Sequence, residues 1–193
     1  MGTESDGSQC RSPNCTNMFD LHLYFILSYK TLLCNLSIVH GEKMGKTVKN
    51  TITGKEITKP DPVDIEVPFD GGVMITETDP AGIITYANRK FRELTGYTKE
   101  ELIGSPHSIN RHPDMPKAAF KELWDTIKGG NYWEGFVRNM TSEGKYYNVV
   151  VWIKPKLDDD GNIIGYIAGR KIPDQDLMKR AFDKYKVMKN DEI

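Results

Sequence analysis

Arg111, His112 and Asp114 stand together in the run Asn110-Arg111-His112-Pro113-Asp114-Met115-Pro116. A guanidinium can grip a phosphate through two parallel hydrogen bonds. It can equally pair with Asp114 and only tie the loop. Asp114 can instead cap the helix that follows. A histidine beside a proline, as His112 is, serves as a structural or surface group as readily as a ligand. Further along, Trp133, Gly135, Val137 and Asn139 share one face if this segment is a strand. An amide among apolar neighbours must find hydrogen-bond partners. A bound ring with polar edges would provide them, as would water near the strand end. Gly135 would leave room for a flat ring between Trp133 and Val137, or would mark a bulge. Phe120 and Trp124 lie on an apolar stripe, which reads as core; lining a core and lining a pocket are compatible.

These residues need a scaffold, and the pattern supplies one. Residues 73–78 and 83–87 are β-rich and flank the turn Asp79-Pro80-Ala81-Gly82, which makes a hairpin. Asn88 caps a short helix stopped by Gly96. Thr98-Lys99-Glu100-Glu101 is a capping box. From Pro116 the stripe Ala119, Phe120, Leu123, Trp124 and Ile127 predicts a longer helix, closed by Lys128-Gly129-Gly130. Strands follow at 132–140, 145–154 and 163–171, joined by Thr141–Gly144 and Asp158–Asn162. The order β-β-α-α-α-β-β-β predicts an α+β fold: a five-stranded antiparallel sheet with short helices gathered on one face. Such a layer leaves room for a ligand beneath the helices.

The rest of the chain bounds the function classes. Lys+Arg 26 against Asp+Glu 27 in 193 residues leaves a net charge of −1, which gives no general pull on nucleic acid. Cys10, Cys15 and Cys34 are the three cysteines, so the body after them has no thiol nucleophile and no thiolate metal site. No nucleophile elbow and no phosphate-cradling glycine loop is present, so an enzyme is not expected. Residues 1–43 are read as a poorly ordered or non-native extension. The apolar run 21–39 has almost the length of a membrane helix, but Lys30 near its middle argues against insertion. Residues 44–69 are expected to be a linker or N-terminal cap, 70–172 the folded domain, and 173–193 an amphipathic helix.

The pieces Asp79…Gly82-Ile83-Ile84…Ala87-Asn88, Phe91, Leu94-Thr95-Gly96-Tyr97 and Glu100-Glu101-Leu102-Ile103-Gly104 resemble a PAS domain. The run Asn110 to Phe120, then Trp124, Trp133-Glu134-Gly135 and Asn139, resembles the PAS domain of bacterial aerotaxis receptors. That family holds FAD non-covalently and senses redox state. The resemblance implies FAD here, with Asn88, Arg111, His112, Asp114, Phe120, Trp124, Trp133 and Asn139 at the flavin-associated positions. Some PAS domains bind haem through a histidine, which makes haem the alternative cofactor and His112 or His107 its ligand. A cofactor-free interaction module is the third reading. Flavin photoreceptors of the light-oxygen-voltage kind form a thiol adduct, for which the body offers no cysteine.

Leu177, Ala181, Tyr185 and Met188 give the last helix one apolar face, capped by Asp174. It reads either as a signalling helix that docks on a partner or as a helix folded back on its own sheet. No kinase, cyclase or chemoreceptor module accompanies the sensor within these residues. A separate chemoreceptor-like transducer is therefore expected as partner, in the cytoplasm or at the inner face of the membrane through that partner. The last helix also allows a homodimer; nucleic acid and direct membrane insertion are not expected.

Overall fold

A computed structural model describes residues 46–191. The cysteines, the apolar run 21–39 and the expectations attached to residues 1–43 lie outside the described residues.

Among the described residues, seven strands, four α-helices and a 3-10 turn follow in chain order. They are β1 (Thr47–Lys49), β2 (Glu56–Thr58), β3 (Met74–Thr78), β4 (Ile84–Ala87), α1 (Arg89–Thr95), α2 (Lys99–Leu102), a 3-10 turn (His107–Asn110), α3 (Lys117–Lys128), β5 (Trp133–Met140), β6 (Tyr146–Leu157), β7 (Ile163–Lys171) and α4 (Gln175–Asn190). The five long strands form one sheet in the order β4-β3-β7-β6-β5. Every pairing in it is antiparallel. The first and last hairpins therefore meet in the middle, where β3 lies beside β7.

The local chemistry explains the helices. The Asn88 side chain accepts from the Phe91 amide at 3.0 Å and caps α1, which ends on Gly96 with φ 73°. Only a residue without a Cβ adopts that left-handed turn cheaply. Thr98 and Glu101 close the capping box of α2 in both directions. α3 turns Ala119, Leu123 and Ile127 into the core, with Pro116 at its start and no side-chain cap. Asp114 therefore does not cap it.

The sequence reading left two features open. The stretch read as a linker or N-terminal cap contains the hairpin β1–β2, and it is tied to the body. Asn50 is fully buried. Its Nδ2 donates to the Ile103 carbonyl at 2.7 Å, and its Oδ1 accepts from the Ile52 and Thr53 amides at 3.0 and 2.9 Å. The last carbonyls of a helix have no partner within it, and Asn50 supplies one to the end of α2. Gly104, at φ 89°, allows this approach: a Cβ there would lie 2.6 Å from Asn50 Oδ1. Lys59 reaches the 3-10 turn, donating to the Ser108 and Arg111 carbonyls at 2.8 and 2.9 Å. Burial, helped by the charges of Arg111 and Lys46, lowers its pKa to about 8.

The second feature is the position of α4, which lies against its own body. The Tyr185 hydroxyl donates to the Phe136 carbonyl at 2.5 Å. Phe182 meets Phe136 edge-on at 5.0 Å, and Lys189 and Lys184 pair with Asp114 and Glu122. β5 is an edge strand, whose outward carbonyls and amides otherwise lack partners. Tyr185 satisfies one, Met115 Sδ accepts from the Arg138 amide at 3.3 Å, and Arg111 bridges to Asn139. Among the described residues no helix is long and apolar enough to cross a membrane.

Candidate functional site

A cavity of about 220 Å³ lies between the inner face of the sheet and the covering segments. Alternation along the strands decides what faces it. Val137 and Asn139 come from β5, Val151 and Ile153 from β6, and Tyr166, Ala168 and Arg170 from β7. α3 contributes Phe120, Leu123, Trp124 and Ile127, and the 3-10 turn contributes His107, Ser108 and Asn110. Trp124 meets Tyr166 edge-on at 5.6 Å. Its indole lies so close to the β3–β4 turn that a Cβ on Gly82 would sit 2.9 Å from it.

Of the residues singled out from sequence, Arg111, Phe120, Trp124 and Asn139 line this cavity together. The Arg111 guanidinium stacks 3.8 Å above the Phe120 ring, and Nη2 donates to the Met115 carbonyl at 3.2 Å. The backbone bridge between Arg111 and Asn139 holds loop and strand together at one wall. Asn139 lies directly opposite Tyr147 across the β5–β6 pairing.

Asn88, His112, Asp114 and Trp133 are not part of the lining. The polar atoms of Asn88 are spent on α1 and on both sides of β3: Oδ1 accepts from Ile75 and Phe91, and Nδ2 donates to Val73. His112 Nδ1 accepts from the Asp114 amide at 3.1 Å, and its ring meets Tyr146. Burial lowers its pKa, partly offset by Asp114. Asp114 pairs with Lys189 of α4 at 3.1 Å. Trp133 lays its own ring over Gly135, so the space expected there for a ligand ring is filled by protein. Trp133 instead faces a groove shared with Ala119, Leu177, Ala181 and Tyr185.

The strongest polar feature was not singled out from sequence. Arg170 is 2% exposed and lines the cavity. Its Nη1 donates to Thr76 Oγ1 at 3.0 Å and its Nη2 to His107 Nε2 at 2.7 Å. Nε has no partner. Among the described residues no carboxylate lies within ion-pair distance of Arg170. Burial lowers its pKa to about 10, which leaves it charged. His107 is held neutral: burial, then the Arg170 charge, lowers its pKa to about 3. His107 is half-buried and lines the cavity. Asn110 donates from Nδ2 to the Tyr147 hydroxyl at 3.0 Å, and its Oδ1 is buried without a partner. Two lining residues thus carry one orphaned donor and one orphaned acceptor.

The PAS fold family matches residues 72–169. This chain belongs to the PAS family. Its PAS region is 43% identical over 101 residues to the aerotaxis receptor of Escherichia coli (strain K12), covering 52% of this chain and 20% of that protein. It is 31% identical over 96 residues to the nitrogen fixation regulatory protein of Klebsiella pneumoniae, covering 50% of this chain and 19% of that protein. The chain thus spans about a fifth of the length of these curated relatives. Among solved structures, the light state of the blue-light photoreceptor Aureochrome1 LOV superposes with a TM-score of 0.53 at 22% identity, covering 58% of this chain and 91% of that one. That likeness shows the PAS fold alone.

Signals for the missed residues were uneven. Tyr166, Ala168 and Arg170 share one parity on β7, so a cation on an inward face was readable once the core face was known. Asn110 sits in a loop, where parity says nothing.

Proposed function

We propose that this PAS domain holds FAD non-covalently in its cavity and reports the redox state of the flavin to a separate chemoreceptor-type transducer. The observation that carries this reading is the presence of an orphaned acceptor, Asn110 Oδ1, and an orphaned donor, Arg170 Nε, on lining residues of a mostly apolar cavity. A flavin ring offers donor and acceptor atoms on one edge and a flat apolar body elsewhere. Phe120, Leu123, Trp124, Val137, Val151 and Ile153 would wall the body; Asn110, Asn139 and Arg170 would meet the edge. A cavity of about 220 Å³ suits a ring system rather than a whole dinucleotide. The phosphates would lie at its margin, where Arg111 is half-exposed. When bound, the flavin supplies reversible electron and proton uptake.

Sequence kinship to an aerotaxis receptor supports the redox role. The haem alternative is disfavoured by geometry. His107 Nε2 already faces Arg170 and Thr76, and His112 is outside the lining. PAS sensor domains are typically signalling modules, and a non-catalytic role is proposed here, in the cytoplasm or at the membrane through the transducer.

The route outward runs through β5. Asn139 and Val137 line the cavity, while Phe136, next to Val137 on the same strand, meets Phe182 of α4. A change in hydrogen bonding at Asn139 moves the strand to which Tyr185 is tied. The flavin must favour one of the two arrangements over the other, since equal interaction shifts nothing. Hydrogen exchange of α4 amides in oxidised and dithionite-reduced protein tests this. Faster or slower exchange confined to β5 and α4 is expected; identical exchange and identical transducer binding in both states overturns the mechanism.

A further inference from the structure

Arg170 is among the largest fully buried side chains of the described residues. A charge taken out of water is normally paired with an opposite one, and Arg170 has none among the described residues. Its two terminal nitrogens are held from one side by neutral acceptors, Thr76 Oγ1 and His107 Nε2. These two bonds use two of its five N–H groups. The Phe91 ring lies 5.0 Å from the guanidinium carbon. Among the described residues the acidic group that bears on it is Tyr147, a phenol that burial keeps protonated by raising its pKa. None of the described residues supplies a counter-charge, and Arg170 lines the cavity.

We propose that Arg170 is the charge partner of the reduced ligand: it holds the singly anionic, reduced flavin ring more tightly than the neutral oxidised one, and so sets the potential at which the domain switches. The oxidised ring takes two electrons from an external reductant and one proton from water, which leaves one net negative charge on the ring. Arg170 keeps its own proton throughout. Thr76 and His107 position the guanidinium, and His107 does so because its Nε2 is bare and the ring uncharged. This assignment rests on the flavin reading above.

The test is the midpoint potential of the FAD-loaded chain, with the affinity for oxidised FAD measured beside it. Arg170→Gln is expected to weaken reduced FAD more than oxidised FAD and so to lower the potential, by about 30 mV for each tenfold loss in preference for the reduced form of a two-electron couple. Arg170→Lys, which restores the charge, is expected to recover most of the loss. An Arg170→Gln protein that binds FAD at the wild-type potential overturns the proposal. If that variant does not fold, the wild type still decides: bound FAD must be easier to reduce than free FAD, and a lower bound potential overturns the assignment. A wild-type chain that takes up no flavin refutes the flavin reading itself and this assignment with it.

Discussion

Replacing Asn50 by alanine tests whether the N-terminal hairpin belongs to the sensor fold. The hairpin precedes the residues matched by the PAS family, which begin at 72. Asn50 is nevertheless fully buried and makes three short bonds: to the Ile103 carbonyl at 2.7 Å and from the Ile52 and Thr53 amides at 3.0 and 2.9 Å. Each such bond contributes roughly 0.5–1.5 kcal/mol net, and a carbonyl left buried without a partner adds to the loss. Asn50→Ala is therefore expected to destabilise the chain by about 2–4 kcal/mol. At roughly 2–4 °C per kcal/mol for a domain of this size, the Tm falls by about 5–15 °C. Urea unfolding with an unchanged m-value would report the loss as one of stability alone. Asn50→Asp keeps the acceptor but sets a charge against the Ile103 carbonyl, so it is expected to be no milder. A loss below about 0.5 kcal/mol, the range of ordinary surface positions, would refute the reasoning and return the hairpin to the status of a linker.

Three further outcomes are expected. Gly169→Ala drives a Cβ into the Trp152 indole, which lies flat against the glycine; overpacking of this kind costs about 1–3 kcal/mol, and an unchanged urea midpoint would contradict it. Tyr185→Phe removes the bond to the β5 edge; α4 amides should exchange faster while those of β6 and β7 keep their protection, and equal exchange would show that the helix is held otherwise. The third outcome concerns pH. The folded-state pKa of His107 is lowered to about 3, so the unfolded chain takes up the proton first as pH falls through about 6.5. Stability is then complete above that pH and lost below it, by roughly 2 kcal/mol at pH 5. The urea midpoint should fall between pH 7 and 5, and less so in His107→Gln; a midpoint that does not change would mean that His107 is not buried neutral.

What could be read from sequence follows from the range of each interaction. The β3–β4 hairpin, the Asn88 cap and the Thr98–Glu101 box depend on residues a few positions apart, and all are visible in the chain. Strand alternation placed Asn139 and Val137 on one face, where both line the cavity. The docking of the 47–58 hairpin on the body was not legible because Asn50 finds its partners about 50 residues away. The same reason hid the roles of Asp114, whose partner is Lys189, and of Arg170, which meets Thr76 across the β3–β7 pairing. For Trp133, alternation gave the face but not the rotamer, and the rotamer decides whether the space over Gly135 is open.

The most direct measurement is the visible absorption spectrum of the purified chain, with the cofactor released on denaturation and Arg111→Ala and Asn139→Ala measured beside it. The account expects the double band of a flavin, FAD on release, and weaker retention in both variants. A sharp Soret band, or a protein that stays colourless after incubation with FAD, would contradict it.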